Sequence, residues 1–197
     1  MKKIVSLAVA LLIVCRFSTL TLADGDGAAF VNPAAAPGPG LTQFFCFGGG
    51  AANFSVATSN SLSINGFMVG AAESFSKIGV FVVAADASTA KYDFCVYNLA
   101  GALVANVGPA SYPTAGGKIL PIAQGSAALA PGVYLFAMTG NATALAIDGC
   151  NGSAGYFWNG AQTSFGASTG GACPSLITPP ATGLTGGAGG PSFALAP

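Results

Sequence analysis

The apolar residues of this chain come in short runs, and each run is stopped by Gly, Pro, Asn or Asp before a helix could form. The runs are Phe44–Phe47, Phe54–Ala57, Ser61–Ile64, Gly66–Val69, Lys77–Ala84, Tyr92–Leu99, Ala102–Val107, Lys118–Ile122, Gly132–Met138, Thr143–Ile147 and Gly155–Trp158. Between them stand the turn signals Asn65-Gly66, Asp86 to Ala90, Ala100-Gly101, Gly116-Gly117, Pro131-Gly132, Gly140-Asn141 and Asp148-Gly149. Strands about 8–12 residues apart predict an all-β sandwich or barrel. In Tyr92-Asp93-Phe94-Cys95-Val96-Tyr97, alternation places Tyr92, Phe94 and Val96 on one face. Ile78 to Val83 is apolar throughout, as suits a central strand covered on both faces. Ala123 to Ala130 is expected to form at most a short helical turn.

The ends read differently. Lys2 and Lys3 precede the apolar stretch Ile4–Cys15, which is shorter than the roughly 20 residues that span a bilayer. With Thr21 and Ala23 at the −3 and −1 positions, residues 1–23 read as a secretory signal peptide cut before Asp24. The expectation is a secreted, extracellular protein with no membrane segment once the signal is removed. Residues 24–43 hold three prolines and four glycines and read as an N-terminal arm. Residues 44–173 are the expected sandwich, and 174–197 a Pro/Gly-rich C-terminal tail that ends in an apolar patch at 192–196.

Charge and composition exclude several function classes. Charged residues make up 6% of the 197, against about 25% in an average soluble domain. Of the six Lys and Arg residues, Lys2, Lys3 and Arg16 lie in the signal, which leaves Lys77, Lys91 and Lys118. A nucleic-acid footprint cannot be built from these. There is no His, so His-based dyads and His-ligated metal sites are impossible. Asp86 and Asp93 flank a turn and Asp148 precedes Gly149-Cys150, so Asp86 and Asp148 fit turn-forming roles rather than acid/base catalysis. A Ser nucleophile has only lysines as candidate bases. Gly48-Gly49-Gly50 and Gly116-Gly117 lack the following Lys-Ser/Thr of a phosphate loop, and Asp24-Gly25-Asp26-Gly27 lacks the remaining ligands of a calcium loop. The chain is read as a non-enzyme with no cofactor and no metal.

Once Cys15 leaves with the signal, Cys46, Cys95, Cys150 and Cys173 remain. An even number in a secreted chain predicts two disulfides, and three connectivities are open. Pairing Cys150 with Cys173 around a local loop is the first expectation, which leaves Cys46 for Cys95. Four thiolates without a CxxC spacing do not read as zinc ligands. Asn53, Asn141 and Asn151 stand in Asn-x-Ser/Thr sequons and are candidate glycosylation sites. Tyr156, Trp158 and Asn159 are candidate glycan contacts, since aromatic faces flanked by amides can stack on a sugar ring.

The segment from "YDFCVYNLAG" to "LAPGVYLFAM" resembles jelly-roll β-sandwich domains of the galactose-binding type, found in phage tail and receptor-binding proteins and in bacterial surface proteins. The matching positions are Tyr92, Asp93, Val96, Tyr97, Gly101, Leu129, Pro131, Gly132 and Tyr134. The resemblance implies a jelly-roll-like sandwich, a hairpin at Gly101 and a turn at Pro131-Gly132 that opens a core strand. It also implies ligands held by loop aromatics together with Arg, Asn, Asp or Glu.

Secretion, very low charge, disulfides and Pro/Gly-rich ends together predict a structural subunit of an extracellular filament, pilus-like fibre or surface layer. A terminal arm would add as a strand to a neighbouring subunit's sheet, which makes a homo-oligomer or polymer. Ala28, Ala29, Phe30 and Val31 are the candidate N-terminal donor, and Phe193 and Leu195 the C-terminal one. The alternative is a secreted module that binds carbohydrate or a host surface, with Trp158 at its centre.

Overall fold

The computed structural model describes residues 42–44, 51–150, 159–162, 168–179 and 190–197. All regular elements among them are strands: β1 (Thr42–Phe44), β2 (Ala51–Ser55), β3 (Leu62–Val69), β4 (Glu73–Phe75), β5 (Lys77–Ala84), β6 (Tyr92–Asn98), β7 (Leu103–Asn106), β8 (Gly116–Pro121), β9 (Ala127–Leu129), β10 (Gly132–Gly140), β11 (Ala146–Cys150), β12 (Asn159–Gln162), β13 (Gly190–Pro191) and β14 (Phe193–Ala196). They build a seven-stranded sheet, a five-stranded sheet and a small β4–β9 pair.

The five-stranded sheet runs β12-β3-β10-β6-β7 and is antiparallel throughout. In the seven-stranded sheet, β5 is central. Strand β8 pairs along one edge of β5. The other edge is shared in line by β14, opposite Lys77–Val80, and β11, opposite Val82 and Ala84. Beyond them lie β1, paired to β14, and β2, paired to β11. The sheets face one another as a sandwich. Val80, Val82, Ile147, Phe193 and Leu195 from one sheet and Phe67, Phe94, Val96, Phe136 and Met138 from the other form a single buried cluster. The apolar residues 78–83 thus lie on the central strand, but they are not covered on both faces as expected: Val83 is exposed and Phe81 half-buried.

Strand β6 shows how alternation divides the interior. Tyr92, Phe94 and Val96 point between the sheets, as the sequence pattern requires. Cys95 and Tyr97 point to the opposite face and are equally buried, in a second cluster with Leu62, Ile64, Leu135, Ala137 and Ile177. Residues 168–179 lie over this second face. The hairpin implied at Gly101 is present: Gly101 N donates to Asn98 O at 2.9 Å, with Gly101 at φ 83°. A Cβ there would stand 2.0 Å from the Ile177 carbonyl oxygen, so this turn needs Gly for both its backbone angle and its close approach. Pro131-Gly132 opens β10 as expected.

Four local readings are corrected, the first being Gly116-Gly117, which is no turn but the start of β8, paired with Val82 and Phe81. Asn65-Gly66 is no turn; both lie inside β3, with Asn65 opposite Phe136 on one side and Asn159 on the other. Two flanking strands supply the backbone partners that a hairpin turn would otherwise have to supply itself. Asp148-Gly149 is also no turn, because β11 continues through it between β2 and β13. Ala123 to Ala130 holds no helix; Ala127–Leu129 is strand β9, paired with Glu73–Phe75.

The C-terminal segment belongs to the domain. Phe193 stacks on Phe136, with centroids 4.1 Å apart and planes at 14°, and meets Phe67 edge-on at 5.1 Å. All four residues of β14 are buried. Phe193→Ala removes a ring from the middle of this cluster and should lower unfolding free energy by about 3–5 kcal/mol. Urea denaturation followed by tyrosine and tryptophan fluorescence measures this, and a loss below about 1 kcal/mol would contradict the packing described.

Candidate functional site

Two arrangements stand out, and both tie late residues of the chain onto strands made much earlier. The first lies on the outer face of the five-stranded sheet. Cys95 and Cys173 form a disulfide with Cα atoms 6.4 Å apart. This corrects the expected Cys150–Cys173 pairing, and with it Cys46–Cys95. The reason is alternation: β6 turns Cys95 away from the inter-sheet core and toward residues 168–179, where Cys173 lies. Cys150 ends β11 in the other sheet. Of the four cysteines that follow residue 23, the other two are Cys46 and Cys150; Cys46 lies outside the described residues.

Asp93 sits beside this disulfide. It is fully buried within β6, and does not flank a turn. Its carboxylate accepts from Asn106 Nδ2 at 2.8 Å, Gly108 N at 2.8 Å and Cys173 N at 3.0 Å. One side chain thereby joins β6, the end of β7 with the residues that follow it, and the disulfide-bonded segment. Burial pushes the Asp93 carboxyl above its ordinary range, and the bonds from Asn106, Cys173 and Gly108 oppose that shift. The Asp93 carboxylate and the two sulfurs lie within 4.8 Å of one another. The sulfurs are bonded to each other, so the group reads as a structural junction. Around it Tyr97 Oη donates to Pro174 O at 2.8 Å, Leu103 N to Ser175 O at 3.0 Å and Ile177 N to Gly101 O at 2.9 Å.

Asp86 takes the turn role expected of it. Ser88 N donates to Asp86 Oδ1 at 2.9 Å, and the buried Tyr92 hydroxyl donates to Oδ2. Bonds from Ser88 and Tyr92 hold the Asp86 carboxyl below its ordinary range. Asp148 lies within β11 instead of a turn, and its carbonyl accepts from Ser192 N at 2.9 Å.

The second arrangement is the slot that holds β14. Phe193, Ala194, Leu195 and Ala196 pair with Val80, Gly79, Ile78 and Lys77. On the other side Phe193, Ala194 and Leu195 pair with Phe44, Gln43 and Thr42. Ser76 N donates to Ala196 O at 2.7 Å and closes the end of the slot. Phe193 and Leu195, candidate donor residues in the sequence, thus fill the sandwich of their own chain, at 5% and 2% exposure. Sequence reasoning missed Gly79. A Cβ built there stands 3.4 Å from the Ala194 Cβ, which marks how closely β14 lies along β5.

The remaining candidates are scattered. Asn53 is exposed on β2, opposite Asp148. Asn141 is exposed just after β10, and its Oδ1 accepts from Lys91 N at 2.8 Å. Asn159 opens β12. Ala28, Ala29, Phe30, Val31, Asn151, Tyr156 and Trp158 lie outside the described residues.

Comparison with protein-family models, curated proteins and solved structures finds no match to this chain.

Two outcomes follow from the Asp93 junction. Non-reducing peptide mapping should recover a Cys95–Cys173 linkage; a Cys150–Cys173 peptide would overturn the arrangement. Because the Asp93 carboxyl is raised, its contribution to stability is fully present below the unfolded pKa of 3.8 and is lost as pH rises through the folded value. Asp93→Asn removes that dependence. Urea unfolding at pH 4 and pH 7 should therefore show a cost of about 1–3 kcal/mol for the substitution, larger at pH 4 than at pH 7 because burial favours the neutral carboxyl. A larger cost at pH 7 would mean that the three N–H donors outweigh burial.

Proposed function

We propose that this chain is a secreted structural subunit of an extracellular assembly, such as a filament, pilus-like fibre or surface layer, built by docking a terminal arm on a neighbouring subunit's sheet. The observation that carries this reading is the buried strand Phe193–Ala196, which fills a sheet from the far end of a Pro/Gly-rich segment. A strand supplied in this way is a separable part whose slot is defined by backbone pairing and one aromatic socket. The N-terminal donor, Ala28 to Val31, is the second candidate arm. We also read the sandwich as jelly-roll-like.

Three further features support the reading. The signal-like leader over 1–23 and the Cys95–Cys173 disulfide agree with an oxidising, extracellular compartment. After the leader the chain carries three lysines against six carboxylates, too little surface charge to keep subunits apart. Large apolar side chains also remain exposed, with Ile119 at 66% and Leu176 at 65%.

Negative-stain electron microscopy of the secreted, oxidised chain is the direct test. Regular fibres or sheets are expected. Monodisperse single particles at every concentration tried would overturn the proposal.

A further inference from the structure

The segment that can leave the domain has a sharp upstream limit. Cys173 is bonded to Cys95, Pro174 O accepts from Tyr97 Oη, and the backbone of 175–177 bonds to the turn at Gly101–Leu103. Ile177 is buried against the outer face of the five-stranded sheet. These contacts fix the chain as far as Ile177. Residues 178–189 then read Thr-Pro-Pro-Ala-Thr-Gly-Leu-Thr-Gly-Gly-Ala-Gly, a linker composition. Fully extended, a segment of twelve residues spans at most about 40 Å, close to the diameter of about 40 Å of a domain of this size, so its length alone permits β14 to be placed in a touching neighbour.

The slot that β14 fills lies between β5 and β1, and β1 joins the sheet through β14 itself. The floor of the slot is the backbone edge of β5 from Lys77 to Val80, and its far wall is β1. Its socket is the pair of rings Phe136 and Phe67, which receive Phe193 by stacking and edge contact. Every contact that β14 makes in its own chain is available from an identical chain. The free-energy difference between the two arrangements thus lies in the linker and the local concentration, not in the contacts.

We propose that this slot is an exchangeable acceptor site and that its ligand is the Phe193–Ala196 strand of a second copy of this chain, held in the same register. The inference rests on the structural-subunit reading and names its joint. Reciprocal exchange closes a dimer. One-way exchange joins donor to acceptor in a head-to-tail series that does not close.

Gly79 and Ala194 provide the test, because their Cβ positions are 3.4 Å apart, close to the usual separation of about 3.8 Å in a disulfide. Gly79→Cys and Ala194→Cys are made separately in the full secreted chain, mixed, and oxidised. The expected result is a covalent dimer on a non-reducing gel whose peptide map contains the 79–194 linkage. The double variant carries both cysteines in one chain, locks the strand at home, and should lose assembly by electron microscopy. If assemblies persist in the locked double variant and no interchain 79–194 linkage forms, strand exchange is overturned while the structural-subunit reading stands. If the interchain linkage forms but every chain gives small closed particles, exchange stands and the fibre reading fails. Absence of both linkage and assembly overturns both. Should Gly79→Cys fail to fold, the neighbouring register pair Lys77→Cys and Ala196→Cys repeats the measurement on the same strands.

Discussion

Burial of both faces of the five-stranded sheet is the constraint on which the rest of the structure depends. An antiparallel sheet can leave one face in water if that face is polar. This chain has too few charged residues for that, and β6 and β10 place Cys95, Tyr97, Leu135 and Ala137 on the face away from the other sheet. That face must be covered, and residues 168–179 cover it. The cover brings its own polar backbone to an apolar surface, where unbonded groups are costly. The Asp93 carboxylate, the Tyr97 hydroxyl and the open backbone edge near Gly101 are the partners that meet it. The disulfide then holds the cover in place. Its chain-entropy contribution is about 4 kcal/mol for a loop of 78 residues.

The cover also settles an edge. Strand β7 borders the five-stranded sheet, and an open edge invites pairing with other chains. Here Leu103 N is bonded to Ser175 O, while Asn106 bonds through backbone and side chain to Ala123 and Gln124. At the border of the other sheet, β8 carries Lys118 and Pro121, residue types that discourage further strand addition. The molecule thus guards these two borders while filling an internal row, beside β5, with a strand drawn from far along the chain.

Much of the fold was legible wherever the signal is local. The Lys77–Ala84 run coincides with β5, and the alternation of Tyr92, Phe94 and Val96 gave the inner face of β6 correctly. The turns at Gly101 and Pro131-Gly132 were legible because each has a backbone reason that acts within four residues. What failed were local signals overruled by neighbours. Asn65-Gly66 and Asp148-Gly149 favour turns in isolation, yet each lies between two strands that satisfy its backbone. The disulfide could not be read from spacing, since it depends on which way β6 turns Cys95. The slot for β14 was half legible: Phe193 and Leu195 stood out as an apolar patch in a Pro/Gly-rich tail, but nothing local tells Phe193 that its partner is Val80.

The position of β14 also has a consequence in time. It pairs with β5, more than a hundred residues earlier in the chain, so this contact has a very large sequence separation. Such contacts form late, because the chain between them must be ordered first. During synthesis, β5 emerges long before its partner exists. Until residues 190–196 arrive, Phe67 and Phe136 lack the ring that fills the space between them. The domain therefore passes through its manufacture as an unfinished sheet with an open aromatic socket, and is exposed in that interval to whatever apolar strand reaches it first.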